Sequence, residues 1–291
     1  MPELPEVEVT RRRIAPHLVG RRIRRLRTTR PSYFFVTPPG RLRRALVGRT
    51  VGGVERLGKY LLAQLDDGSR LVLHLGMTGQ LFPAGSASLR LLSATARAAL
   101  APEEQVCFRP DAHTHLCFEF EDGGPEVYLR DTRKFGKVFW LADGEGHPRL
   151  ARLGPDALTV DGEQLFTATR KRRIAIKSLL LDQSVVAGVG NIYADEALFL
   201  AGVRPARRAE RVTRSECAAI AGGLQRVLQR SIETGGSSIS DYVAPDGRDG
   251  EYQSERRVYA RRGEPCSSCA SPIVRAMLGA RSTHYCPRCQ R

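Results

Sequence analysis

The hydrophobic positions of the N-terminal half follow the period of β-strands. Apolar and polar residues alternate over residues 51–77 around an Asp-Gly pair at 67–68, and over residues 115–141 around a Gly-Gly pair at 123–124. Alternation with a period of two, interrupted by such pairs, predicts antiparallel hairpins. We therefore expect this half of the chain to be mainly β-structure.

A helix is predicted before these strands. Apolar residues fall on one side of a helical wheel over residues 4–19, although Pro16 disfavours the last turn. Six arginines then alternate loosely with apolar residues over residues 21–30, a pattern typical of a solvated basic strand.

Helical patterns dominate after a linker rich in glycine, proline and aspartate at residues 151–161. Short helices are predicted at residues 177–182 and 192–201, on either side of a turn that contains two glycines. A Thr-x-x-Glu pattern at 213–216 then predicts a capped helix that ends at a Gly-Gly pair.

The composition favours a polyanionic partner. Lysine and arginine number 46 against 31 acidic residues, which gives a formal net charge of +15, and such a charge attracts nucleic acid. An anionic membrane surface is the competing interpretation, but the sequence has no apolar run long enough to cross a bilayer. We expect nucleic acid and no membrane as the partner, and a monomer by default.

Both termini bear on the compartment. The opening MPELPEVEVT has acids and prolines where a signal peptide would have a basic segment followed by an apolar one. The seven cysteines are an odd number, and four of them lie in two tight pairs, which favours a metal site over a disulfide framework. We expect a cytoplasmic protein.

The two cysteine pairs predict a metal site. Two residues separate Cys266 from Cys269 and Cys286 from Cys289, and sixteen residues lie between the pairs. Two chelating pairs at the separation of a hairpin can offer four thiolates to one tetrahedral, structural zinc ion. A redox dithiol uses one such pair and would not need the second, so we favour zinc.

The N-terminal Pro2 offers a different chemistry. Removal of the initiator Met would leave a secondary amine whose pKa is about 8. Such an amine can attack a sugar C1′ and form an iminium, whose positive charge promotes loss of the C2′ proton and strand cleavage. Glu3 beside it can transfer protons. By itself, however, Pro-Glu is also a common helix opening.

Six segments resemble the formamidopyrimidine-DNA glycosylases and occur in that family's order. They are MPELPEVE at 1–8, LGKYL at 57–61, HLGMTG at 74–79, DTRKFG at 131–136, DQSVVAGVGNIYADE at 182–196 and THYCPRCQ at 283–290. The resemblance spans nearly the whole chain, and agreement of all six segments by chance is negligible.

The resemblance implies an α+β fold with an N-terminal β-sandwich flanked by helices, a helix-two-turn-helix domain and a C-terminal β-hairpin zinc finger. The expected boundaries are residues 2–150 for the catalytic sandwich with its N-terminal helix, 151–161 for a linker, 162–243 for the helix-two-turn-helix domain, 244–263 for a loop and connection, and 264–291 for the zinc finger. DNA would bind in the cleft between the halves.

The resemblance also implies roles for single residues near the chemistry. Pro2 would be the nucleophile, and Glu3 would protonate the opening sugar. Lys59, interpreted as a strand residue, would be the third catalytic residue: it would bind the phosphate beside the lesion and move protons. Glu6 would brace the site internally.

DNA contacts follow from the same resemblance. Met77, Arg133 and Phe135 would fill the gap left by an everted nucleotide, with Arg133 facing the orphaned base. The remaining expected DNA-binding residues are His74, Asn191 and Arg281 at phosphates, Lys177 at the base pocket, and Tyr242 in the loop that closes over the extruded base.

The sequence departs from the family's pattern at two places. Ala280 and Ser282 flank Arg281 where the family usually has glycine, so the hairpin must differ locally if those positions need positive φ. An insertion at residues 84–104 is also atypical, and the sequence does not reveal its role.

The implied activity is that of a bifunctional glycosylase and lyase of base excision repair. It would excise 8-oxoguanine and formamidopyrimidines from damaged double-stranded DNA through a Schiff base on Pro2, followed by β,δ-elimination, at the bacterial nucleoid. The nearest alternative is an endonuclease VIII-type glycosylase for oxidised pyrimidines, whose usual opening is Pro-Glu-Gly-Pro-Glu, so Leu4 favours purines. A non-catalytic zinc-finger DNA-binding protein, or a zinc-ribbon RNA binder, is the alternative of another class.

Overall fold

The computed structural model describes residues 2–87, 108–238 and 242–291, and the chain forms two compact units. Unit 1 comprises residues 1–147 and 235–251, and unit 2 comprises residues 148–234 and 252–291. The units therefore divide the chain differently from the predicted domains, because residues 235–243 belong to unit 1 and not to the helical part. The predicted insertion lies outside the described residues from residue 88 onward.

Unit 1 contains two four-stranded antiparallel sheets. The strands are β1 (Ile23–Thr28), β2 (Val51–Leu57), β3 (Tyr60–Leu65), β4 (Arg70–His74), β5 (Gly79–Pro83), β6 (Thr114–Phe120), β7 (Val127–Asp131) and β8 (Lys137–Leu141). One sheet has the order β1-β6-β7-β5, and the other has the order β2-β3-β4-β8. The hairpins predicted from the alternating pattern are confirmed.

The two sheets bury their apolar faces in one core. Leu61 of β3 lies directly opposite Leu73 of β4. Both belong to the same buried cluster as Leu26 of β1 and Leu129 of β7, which lie in the other sheet. Because each sheet contributes one apolar face to this core, the arrangement is the predicted β-sandwich.

Two helices of unit 1 pack beside the sandwich, α1 (Leu4–Ile14) and α2 (Pro39–Leu46). Helix α1 ends before the predicted last turn, and a 3-10 turn follows over Ala15–His17, since Pro16 has no N–H to continue the α-helical bonding. Helix α2 was not predicted. Its signal was present, because Leu42 and Leu46 are one turn apart and both are buried.

Unit 2 is mainly helical and ends in a β-hairpin. Its described α-helices and strands are α3 (Pro148–Ala151), α4 (Gly162–Thr169), α5 (Ile176–Leu180), α6 (Asn191–Leu200), α7 (Arg214–Glu233), β9 (Val274–Leu278) and β10 (Arg281–Tyr285). Helix α7 packs against α4 and α6, and β10 packs against α6. The predicted capping box is confirmed, because the Thr213 side chain accepts from the Glu216 N–H and the Glu216 carboxylate accepts from the Thr213 N–H.

A membrane-spanning helix is not found in the part of the chain that the structure describes, where every helix is too short or too polar to cross a bilayer.

Candidate active site and nucleic-acid contacts

The N-terminal residues of unit 1 are buried and held by Glu6. Pro2 and Glu3 precede α1, and Glu3 is only 2% exposed. One carboxylate oxygen of Glu6 accepts the Glu3 N–H at 2.8 Å, and the other accepts the Ser237 N–H at 2.9 Å. Glu6 therefore fixes the start of α1 to the segment that follows α7, which agrees with its expected bracing role.

Tyr242 contacts the same helix start. Its hydroxyl donates to the Glu6 carbonyl at 3.3 Å, and the tyrosine is 5% exposed. Burial raises the pKa of Tyr242 far above its ordinary value, and the nearby Glu6 charge adds to this shift. The ring therefore packs inside unit 1 in this structure, and the expected position of Tyr242 in a loop over an extruded base stays a prediction. The neighbouring loop residues 239–241 lie outside the described residues.

Lys59 lies in the two-residue turn between β2 and β3, so its predicted strand position is wrong. It is 8% exposed, whereas a lysine on a hairpin turn is ordinarily solvated. Such burial is common for functional lysines, whose ammonium is costly to remove from water.

His74 ends β4 and is oriented by its own turn. Its Nδ1 accepts the Gly76 N–H at 3.1 Å, so the neutral ring carries its proton on Nε2. The ring also packs at 4.8 Å from the Tyr60 ring, measured between centres. The fixed orientation gives the Nε2–H a defined direction.

The three expected gap-filling residues lie on two loops of unit 1. Met77 is in the turn between β4 and β5 and is half-buried, whereas Arg133 and Phe135 are exposed on the loop between β7 and β8. The Arg133 guanidinium lies 4.5 Å from the centre of the Phe135 ring. These side chains therefore lie at the surface of unit 1 and not in its core. A surface position is what the resemblance implied for residues that contact DNA.

Asp131, at the end of β7, joins the two loops and was missed as a site residue. It is fully buried, and its Oδ1 accepts from the Thr78 hydroxyl at 2.5 Å and the Arg133 N–H at 3.2 Å. Its Oδ2 accepts the Gly136 N–H at 2.8 Å. The signal was available, because an aspartate directly after an apolar strand usually needs local hydrogen-bond donors.

Gly76 allows the two loops to approach closely. Its φ is +63°, and a Cβ at this position would lie 2.5 Å from the Gly136 nitrogen and the Phe135 carbonyl carbon. Any larger residue would push the loops apart, so the sequence HLGMTG specifies the loop contact as well as the Met77 side chain.

Lys177 of unit 2, which was expected at a base pocket, is buried in this structure, and that expectation stays a prediction. It is 1% exposed, its Nζ lies 2.7 Å from a carboxylate oxygen of Asp195, and Asp195 is fully buried. The Nζ also donates to the Ser282 carbonyl and the Thr283 hydroxyl, both at 2.9 Å. Lys177 thus links α5 and α6 to β10, which is a structural role.

Asn191 lies at the start of α6, where Gly190 is the N-cap residue. Gln183 holds the preceding turn, because it donates to the Val189 carbonyl at 2.9 Å and accepts the Gly188 N–H at 3.0 Å. The Asn191 Oδ1 is buried and has no hydrogen-bond partner among the described residues. A side-chain amide beside a helix N-terminus is suited to an anion.

Arg281 follows the turn of the C-terminal hairpin and is exposed. The turn residues Gly279 and Ala280 have φ values of +52° and +60°, the signs of a type I′ turn. Ala280 therefore occupies a position that favours glycine, as its departure from the family pattern suggested. Ser282 lies within β10 and does not have positive φ.

The four expected cysteines of unit 2 come together. Their Sγ atoms lie within 4.8 Å of one another, with 3.9 Å between Cys266 and Cys289 and 3.5 Å between Cys269 and Cys286. Four sulfurs at about 2.3 Å from one zinc ion would be about 3.8 Å apart. The cluster fits one structural zinc ion.

Three family models together match most of the chain. The formamidopyrimidine-DNA glycosylase N-terminal domain matches residues 1–138, the formamidopyrimidine-DNA glycosylase H2TH domain matches residues 153–243, and the zinc finger found in FPG and IleRS matches residues 263–291. The three matches follow the order of the predicted sandwich, helical part and zinc finger.

Relatives and solved structures agree over the full length. The chain is 44% identical to a formamidopyrimidine-DNA glycosylase of Thioalkalivibrio sulfidiphilus and 43% identical to that of Thiobacillus denitrificans, with 100% of each chain covered. It is similar to the MutM (FPG) protein of Thermus thermophilus, with a TM-score of 0.83, 37% identity, and 99% and 98% of the two chains covered. A Lactococcus lactis Fpg in complex with DNA containing an abasic site gives a TM-score of 0.85 at 33% identity, with 99% of each chain covered.

Proposed function

Since the chain belongs to the formamidopyrimidine-DNA glycosylase family, we propose that it is a bifunctional DNA glycosylase and AP lyase that excises oxidised purines from duplex DNA. The observation that carries this proposal is the N-terminus, where the Glu6 carboxylate holds the Glu3 N–H, directly after Pro2, and the Ser237 N–H. A nucleophilic amine must be positioned before it can attack, and Glu6 supplies that positioning.

The reaction begins once Met1 has been removed. The Pro2 nitrogen bonds to C1′ as the bond between C1′ and the damaged base breaks, and the base leaves with a proton. Glu3 protonates the sugar ring oxygen, which opens the ring and leaves an iminium between Pro2 and C1′. Loss of the C2′ proton then expels the 3′ phosphate, and a second elimination expels the 5′ phosphate.

The phosphate contacts are assigned to one exposed arginine, two half-buried side chains and one buried lysine. Lys59, His74, Asn191 and Arg281 would bind the DNA backbone, and the zinc ion would stabilise the hairpin that carries Arg281. For Asn191, rotation of the amide would place its NH2 where the unpartnered Oδ1 now lies, as a phosphate requires.

Base eversion is assigned to the paired loops of unit 1. Met77, Arg133 and Phe135 would occupy the space that the everted nucleotide leaves, which offsets part of the lost stacking. Lys177 and Tyr242 are assigned no DNA contact in this proposal, because Lys177 is ion-paired with Asp195 and the Tyr242 hydroxyl donates to the Glu6 carbonyl. The protein would act as a monomer on nucleoid DNA in the bacterial cytoplasm.

Borohydride trapping tests the nucleophile. The purified chain, confirmed by mass spectrometry to lack Met1, should form a covalent adduct with a duplex that contains 8-oxoguanine opposite cytosine. The adduct should be strongly reduced in Pro2→Gly, which replaces the secondary amine with a less restrained primary amine, and should persist in Pro5→Gly, which changes a proline of α1 without altering the terminal amine. No adduct from the correctly processed chain would refute the enzymatic function and leave a zinc-stabilised DNA-binding protein.

Substrate competition separates the nearest alternative. An endonuclease VIII-type enzyme would release an oxidised pyrimidine faster than 8-oxoguanine from otherwise identical duplexes. We expect the reverse order, because the opening PELPEVE and the LGKYL segment follow the purine-specific pattern.

A further inference from the structure

Tyr33 is an exposed aromatic residue that has no role in the proposed function. Its exposed fraction of 62% is the largest among the exposed large hydrophobic residues of the described chain. It lies in a turn closed by the Phe35 N–H, which donates to the Ser32 carbonyl at 3.0 Å. Because Phe34 and Phe35 are buried in the sandwich core, the turn is anchored and Tyr33 is directed outward.

Tyr33 lies against the loop that carries Arg133 and Phe135. Its hydroxyl donates to the Arg133 carbonyl at 3.2 Å, and the Lys137 Nζ lies 4.8 Å from the centre of its ring. The Phe34 carbonyl accepts the Val138 N–H at 3.0 Å, which holds the two segments together.

Tyr33, Arg133 and Phe135, which are exposed, and the half-buried Lys137 thus form one surface group, the aromatic patch. Two aromatic rings, each with a cation over or beside it, combine surfaces for stacking with charges that attract phosphates. Exposed rings of this kind match a nucleic acid, which offers flat bases and negative charge at the same place.

We propose that Tyr33 is a further DNA-contacting residue, whose ring stacks on a base of the undamaged strand next to the orphaned base. The proposal rests on the proposed function, which places Arg133 at the orphaned base. The Tyr33 hydroxyl lies 3.2 Å from the Arg133 carbonyl, so the Tyr33 ring is next to the residue that would face the orphaned base and can reach the same strand.

Binding to a duplex with a stable abasic-site analogue tests the proposal without turnover. Tyr33→Ala should weaken binding by at least about fivefold, the lower end of the effect of one stacked base. Tyr33→Phe keeps the ring and should bind within about twofold of the unaltered chain. Val36→Ala, which changes another exposed residue close by, is the matched control and should also stay within about twofold.

A fluorescent base locates the contact. With 2-aminopurine in the undamaged strand beside the orphaned position, the unaltered chain and Tyr33→Phe should quench the emission, and Tyr33→Ala should not. Unchanged binding and quenching in Tyr33→Ala would overturn the proposal. Equal losses in Tyr33→Ala and Tyr33→Phe would overturn it too, because they would assign the effect to the hydroxyl that holds the Arg133 loop.

The same data distinguish this inference from the proposed function. If the unaltered chain does not prefer the abasic duplex over an undamaged one, the proposed function fails. If it does prefer the abasic duplex and Tyr33→Ala binds equally well, only the role of Tyr33 fails.

Discussion

Charged residues of the site differ in whether they are buried or exposed. Glu6, Asp131 and Lys177 are each about 1% exposed or less, and all contact backbone or side-chain groups of their own unit. Arg133, Phe135 and Arg281 are exposed. Charged side chains therefore have structural roles at some positions and surface roles at others, and the presence of a charge alone does not distinguish the two.

Lys177→Met tests the structural role of this lysine. The substitution leaves Asp195 buried without its ion-pair partner, so unit 2 should lose about 3–5 kcal/mol of stability. Urea unfolding measures the loss, and Lys171→Met, at an exposed lysine of the same unit, should cost far less. A DNA-binding lysine would show the contrary result, with weaker DNA binding and little change in stability.

Two secondary-structure elements can be tested separately, the β9–β10 hairpin for backbone strain and α1 for the effect of a buried carboxylate. The hairpin of β9 and β10 turns through Ala280, whose φ of +60° is unfavourable for a residue with a Cβ. Helix α1 carries Glu8, which contacts arginines of α1 and β2. Each feature predicts an effect confined to its own element.

Ala280→Gly should stabilise the hairpin by about 0.5–1 kcal/mol, since relief of the positive φ exceeds the entropy cost of glycine. The measurement is the thermal unfolding midpoint of the zinc-loaded chain. Ser282→Gly is the control and should destabilise the protein, because Ser282 lies in a strand without positive φ. If Ser282→Gly stabilised the protein instead, the unfavourable free energy would not come from the positive φ in the turn.

Glu8 predicts a pH dependence of stability. Burial alone would raise the pKa of Glu8, but hydrogen bonds from Arg11 and Arg12 and the charge of Arg56 outweigh it and lower the pKa to about 2. The carboxylate therefore stabilises the folded chain above its ordinary pKa, and this contribution is lost as the pH falls toward 2.

Urea midpoints between pH 5 and pH 3 measure this contribution. The decline should be smaller in Glu8→Gln than in the unaltered chain, because the glutamine is neutral throughout. Glu121→Gln, at an exposed ion pair with Arg22, should decline as the unaltered chain does. Parallel curves for all three proteins would contradict the assignment.

The net charge of +15 acts at the scale of the whole molecule. It predicts that DNA binding weakens steeply with salt, since each neutralised phosphate releases counterions. Arg281→Ala should reduce the slope of log K against log salt by about 0.9, measured between about 50 and 200 mM salt. Arg173→Ala, at an exposed arginine of the same unit, should leave the slope unchanged, and an unchanged slope in both would reject the Arg281 contact.

Local features were predictable from the sequence. The hairpins, the capping box at Thr213, and the four cysteines depend on residues close together in the chain or on a fixed spacing. Helix α2 is an exception. It was not predicted, although its two buried leucines have the spacing of a helix. Motif order also pointed to the family that the whole-chain comparisons then established.

The sequence by itself determined the main hairpins and the capped helix, the zinc ligands, and the resemblance of the N-terminal segment to that of a glycosylase family with a catalytic amine. Only the tertiary structure decided that Lys177 and Tyr242 are buried, that Asp131 joins two loops, and that Tyr33 lies beside Arg133. The physical reason is that hydrophobic period and capping act between near neighbours. Burial and hydrogen-bond partners instead depend on contacts between residues far apart along the chain.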